Sequence, residues 1–251
     1  MEECLKGGVE TVFGTSWSNG GCEISPVQAM ECLSIYSEYT WRGLECTKED
    51  INSVSEFITG TPYELTEALS DLYCKQSSLW CPGQRLIWSD PLINLICYDL
   101  DYELAMETYE NSLKVIDKYP EVRDIEYYRY VFKCALHKAK LQTTLRNKYK
   151  ENDREWLADF ANKVIPEIKA DFEKLYKLHH DAWHRDYKTQ GFEVIAIRYA
   201  GAIERLRYAS EIINKYLNGE LDTIEALDPE LIKGQKENGV SPRRIMQTFV
   251  D

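Results

Sequence analysis

Three long apolar-periodic runs fill the second half of this chain, and they leave room for little except a helical bundle. In the first, roughly residues 121–149, Ile125, Tyr128, Phe132, Leu136 and Ala139 recur at helical spacing. The second carries Trp156, Phe160, Val164, Ile168, Phe172, Leu175, His179 and Trp183, close to one apolar ring or branch per turn. Pro166 has no N–H to give to that run, which predicts a kink or a fresh start near Asn162. The third extends from about Phe192 to Leu217, with Ile195, Tyr199, Ile203, Leu206, Ile213 and Tyr216 on one face and Gly191 and Gly219 as boundaries. Short connections between long amphipathic helices favour antiparallel neighbours. The fold class is mainly α, an antiparallel helical bundle.

Shorter helices precede these runs. Thr47 with Asp50 three residues on reads as an N-cap and its returning carboxylate, and Gly60 closes that helix. Pro62 opens the next. Residues 75–89 read as an ordered loop that packs Trp80 and Trp88 on the bundle, and Asp90-Pro91 opens a further helix. Beyond Leu227 the chain turns to Pro, Gly and mixed charge, with Ile245, Met246 and Phe249 as anchors for its end.

One segment does not belong to a bundle. Thr11, Val12 and Phe13 read as a β-branched, aromatic strand, followed by a loop rich in Gly, Ser and Asn. Pro26 then opens a helix that runs to Gly43. Strand, loop and helix form the repeating unit of a (β/α)8 barrel, and one unit cannot close a barrel. The expected organisation is a strand–loop–helix barrel remnant over residues 1–45, a helical domain over 46–228 and an irregular tail over 229–251.

The net charge of −12 argues against a nucleic-acid partner, which needs a basic face to displace counterions. No apolar run has the length of a membrane span, and the acidic start lacks a secretory signal. The eight cysteines contain no C-x-x-C pair, and a helical chain of this length does not need disulfides. Reduced thiols and a cytoplasmic location are expected.

Three groups of residues invite a chemical reading. On a barrel rim, Trp17 can stack on a pyranose face while Asn19 and Glu23 take hydrogen bonds from sugar hydroxyls. A capped loop, with Glu23 favouring the helix N-terminus and Trp17 in the core, accounts for the same residues. His180 and His184 stand four apart on one helix face beside His179, but no Glu completes an H-E-x-x-H motif. Imidazoles making polar contacts on the bundle are the expectation there, with no metal and no cofactor. Gly201 permits close helix approach, Glu193 and Arg198 pair or tie their helix to its neighbours, and Arg205, Arg207 and Glu211 form a solvated face with an Arg207–Glu211 ion pair. No phosphate loop, nucleophile elbow or paired strand-end carboxylates are present in the sequence.

The loop WSNGGCEIS, the segment TGTPYELTEALSDLY, the motif WSDPL and the run WHRDYKTQGFEVIAIRYAGAIERLRYASEIINKYLNGELDTIEAL together resemble glycoside hydrolase family 20. The likeness is to bacterial exo-β-N-acetylglucosaminidases that carry an α-helical C-terminal domain, and it covers the last barrel strand and that domain. The family loop is close to W-G-D-N-G-A-E. Trp17 and Glu23 match it, whereas Asn19 stands where Asp is common and Ser18 replaces Gly, removing a charge from a sugar-contacting position.

The resemblance implies substrate-assisted, retaining hydrolysis of terminal β-linked N-acetylglucosamine or N-acetylgalactosamine. In it the 2-acetamido oxygen attacks the anomeric carbon, an Asp orients that group and a Glu protonates the leaving oxygen. That Asp–Glu pair belongs to an earlier barrel strand, and no residue here inherits its role, so the isolated chain is expected to be inactive. The implied partners are the catalytic barrel, from the same gene product or an upstream polypeptide, and an amino-sugar glycoside. A non-catalytic helical interaction module, or a homodimer, is the reading from another class.

Overall fold

The computed structural model describes residues 1–14, 29–73, 82–93 and 100–228. Ten α-helices lie among them: α1 (Glu2–Lys6), α2 (Ala29–Arg42), α3 (Lys48–Thr59), α4 (Tyr63–Ser70), α5 (Pro82–Trp88), α6 (Tyr102–Ile116), α7 (Ile125–Lys150), α8 (Arg154–Asp159), α9 (Ile165–Asp186) and α10 (Phe192–Leu217). No strand occurs among the described residues.

Helix α7 is the axis of the bundle. Its buried residues include Tyr127, Phe132, Cys134, Leu136, Lys138 and Leu141, which face in several directions, as a helix enclosed by neighbours requires. Helices α5, α6 and α9 pack on it, and α10 packs on α9. Cross-helix pairs fix the directions. Arg129 meets Asp117 and Lys140 meets Glu110, so α6 and α7 are antiparallel. Arg185 reaches back to Asp124 while Lys133 meets Asp171, so α7 and α9 are antiparallel as well. Ser210 bonds near the start of the α8–α9 rod and Tyr199 near its end, which sets α10 antiparallel to it. The expected bundle is therefore present, and Ile125, Tyr128, Phe132, Leu136 and Ala139 are all buried in it.

Local chemistry explains the joints. Thr47 and Asp50 form a reciprocal capping box, and Gly60 ends α3 with φ 69°, a left-handed conformation that costs glycine least. Between α8 and α9 the chain does not restart at Pro166 but passes through a π-turn over Phe160–Val164. The Ile165 amide bonds the Phe160 carbonyl, so the register would pair Ala161 with Pro166, which has no N–H. The Ser210 hydroxyl donates to that orphaned Ala161 carbonyl at 2.7 Å. One continuous rod results, tied to α10 at its irregular turn.

Two expectations are corrected. Thr11, Val12 and Phe13 are not a strand: a strand needs a neighbour to pair its backbone, and here the Val12 carbonyl instead accepts the Tyr36 hydroxyl at 2.6 Å. The segment lies on α2 and leaves Phe13 87% exposed. Residues 82–88 are helix, not loop, with Gly83 so close to Leu72 that a Cβ there would meet its carbonyl oxygen. Helix α6, capped by the Asp101 side chain, lies where the periodicity singles out no helix of its own. Helix α2 is the described part of the helix expected from Pro26.

Candidate functional site

Trp17, Asn19 and Glu23, the residues expected to line a sugar site, lie outside the described residues, as does Pro26. What the structure provides is their setting. The preceding segment is held against α2 through Tyr36, and α2 packs on α3.

The WSDPL motif is the best-supported polar site on the described chain. Trp88 is buried with its ring edge-on to Tyr199, centroids 5.0 Å apart. The Lys138 ammonium, fully buried, donates to the Ser89 carbonyl, and Gln142 donates to the Asp90 carbonyl at 3.0 Å. One Asp90 carboxylate oxygen accepts the amides of Leu92 and Ile93, each at 2.9 Å. The other is paired with Arg205, which therefore does not belong to a solvated face. Arg207 does, and it pairs with Glu211 at 2.9 Å as its spacing predicts. Arg146 adds hydrogen bonds to the carbonyls of Leu92, Ala226 and Leu227. The motif thus joins α5, α7, α10 and the end of the bundle, and it is a structural hub that pattern reading alone does not reveal.

The histidines separate by environment. His179 is buried, bonds the Tyr199 hydroxyl at 3.1 Å, and burial pushes its pKa down to about 4. His137 is also lowered, chiefly by burial, although the Asp171 carboxylate at 2.9 Å opposes that. Burial pushes the Cys134 thiol well above its ordinary value. Cys4, Cys46 and Cys134 are free thiols.

Perturbed carboxylates have cationic or capping partners. Asp186 is lowered first by its hydrogen bond from Arg185 and also by Arg123. Glu64 is lowered by Lys118 and then by Tyr119, at 2.6 and 2.7 Å. An open groove of about 650 Å³ runs beside Trp156. Its Asp153 caps α8 and binds Lys148, and its Asp159 pairs with Lys163. These carboxylates fasten helices together; they do not form an acid–base pair around a cavity. Glu193 accepts the Gly191 amide at 2.7 Å, and Arg198 is buried.

The fold and these polar clusters define a helical domain built around one buried axis. The family described as Glycoside Hydrolase 20C C-terminal domain matches residues 72–246, and the chain belongs to that family. Among curated proteins none matches it. No helix among the described residues is long and apolar enough to cross a membrane.

Proposed function

We propose that this chain is the C-terminal portion of a β-N-acetylhexosaminidase, a support on which a family 20 catalytic barrel sits. In this reading residues 1–59 complete the barrel side of the interface and the bundle holds them in place. The enzyme removes terminal β-linked N-acetylglucosamine or N-acetylgalactosamine, and Trp17, Asn19 and Glu23 contribute one wall of the sugar site. A cytoplasmic location belongs to the same reading.

The observation that carries it is the placement of exposed apolar side chains. Of the nine large hydrophobics exposed among the described residues, Val9, Phe13, Leu33, Trp41, Leu44, Phe57 and Ile58 lie before residue 60. That segment precedes the family match, which begins at residue 72. Covering a side chain such as Trp41 or Phe57, 88% and 90% exposed, is worth about 2 kcal/mol each. A family named for a C-terminal domain supplies the occupant, the rest of a glycoside hydrolase.

The test is complementation. Mixing this chain with a family 20 catalytic barrel that lacks its own C-terminal portion restores hydrolysis of p-nitrophenyl N-acetyl-β-glucosaminide, while the chain alone shows none. Turnover by the chain alone would refute the reading. A stable homodimer that ignores the barrel would replace it with the dimerisation module.

A further inference from the structure

His180 and His184 are held in a way that their spacing alone could not reveal. The two rings lie with centroids 4.1 Å apart and planes inclined by 32°, one turn apart on the exposed face of α9. A single ring, Phe192 at the start of α10, makes a T-shaped contact with both: its centroid is 5.3 Å from His180 and 5.1 Å from His184. Phe192 is itself buried, so it sets the orientation of both imidazoles from one fixed side.

The hydrogen bonds then decide which nitrogen is available. His184 Nδ1 lies 2.8 Å from the His180 carbonyl oxygen, which can only accept, so Nδ1 carries the proton. His180 Nδ1 lies 3.1 Å from a carboxylate oxygen of Asp181, which likewise accepts from it. With both Nδ1 atoms donating, the neutral rings present their Nε2 lone pairs. A ligating histidine whose other ring nitrogen donates to a carbonyl or carboxylate is the usual arrangement around bound transition metals.

We propose that His180 and His184 form a two-histidine site for a borderline divalent transition-metal ion, with water completing its coordination. Two imidazole nitrogens select Cu²⁺, Ni²⁺ or Zn²⁺ over Mg²⁺ and Ca²⁺, which take oxygen ligands. No cluster of three or more metal-capable side chains exists among the described residues, so the affinity is that of a two-point chelate. Binding clamps the last turns of α9 against Phe192, without involvement of the sugar site.

Ni²⁺ is the probe, titrated calorimetrically into the full chain at pH 7.5 after its accessible thiols have been alkylated. One equivalent binds, and Mg²⁺ gives no response. His180→Gln and His184→Gln each abolish the signal, and Asp181→Asn weakens it about tenfold by releasing the His180 ring. All three positions are exposed, and unchanged helical circular dichroism confirms that the variants fold. Binding that survives both histidine variants would overturn the proposal, as would absence of Ni²⁺ binding at millimolar concentration.

Discussion

Residues 1–59 and residues 100–228 are both helical, but their apolar side chains go to opposite places. In the first region Ile51 is the one buried hydrophobic among the described residues, while seven large ones face outward. In the second, Phe132, Phe172, Leu206, Ile213 and many others are enclosed, and Ile197 and Tyr208 are its exposed large hydrophobics. Local signals do not separate the regions: α3 has a complete capping box and a left-handed glycine stop, as good as any helix end in the bundle. Good caps specify where a helix begins and ends. They do not supply a core, and an amphipathic helix without a partner leaves its apolar face in water.

That difference can be broken or sharpened by experiment. The largest effect is expected at the centre of the bundle. Phe132, fully buried and edge-on to Tyr109, should cost about 3–5 kcal/mol when changed to Ala, seen as a lower urea midpoint. Acid should act on the same region through His179. Its folded pKa of about 4 lies below the ordinary 6.5, so the unfolded chain takes up the proton first. Stability is complete above about pH 6.5 and falls by about 3 kcal/mol as the pH drops to 4. A His179→Gln variant should lose that part of the pH dependence in parallel denaturation curves.

Smaller effects mark the joints. Gly83→Ala places a Cβ 2.2 Å from the Leu72 carbonyl oxygen and should destabilise by about 2 kcal/mol in thermal unfolding. Ser210→Ala removes the donor to the Ala161 carbonyl and should cost about 1 kcal/mol, with faster amide exchange around the π-turn. The smallest change should come from Phe57→Ser. On a side chain 90% exposed it alters the chain's own stability by less than about 0.5 kcal/mol. The same substitution, combined with Trp41→Ser, should weaken complementation by the barrel more than any bundle variant that still folds.

Sequence periodicity revealed the bundle well because burial in it is local and repetitive: Ile195, Tyr199, Leu206 and Ile213 return every turn or two and all are buried. It failed at Thr11–Phe13, where β-branched and aromatic residues satisfy a strand preference that only a pairing partner can realise. It also failed at Arg205, whose partner Asp90 is 115 positions away in the chain and invisible to any window. The π-turn was half legible, since Pro166 announces a broken ladder but not that Ser210 repairs it. Of the expected sugar-site residues, Trp17, Asn19 and Glu23 rest on the likeness to family 20. The WSDPL motif belongs to the same likeness, and its role as a hub rests on contacts contributed by α7 and α10.

Amide hydrogen exchange followed by mass spectrometry, with and without a family 20 catalytic barrel, tests most directly whether residues 1–59 are an interface awaiting its other half. Free in solution, residues 29–59 should exchange fast and residues 125–217 slowly, because only the latter are closed off by packing. Adding the barrel should slow exchange in residues 29–59 and leave the bundle unchanged. Protection confined to the bundle, or none anywhere in the chain, would contradict the account.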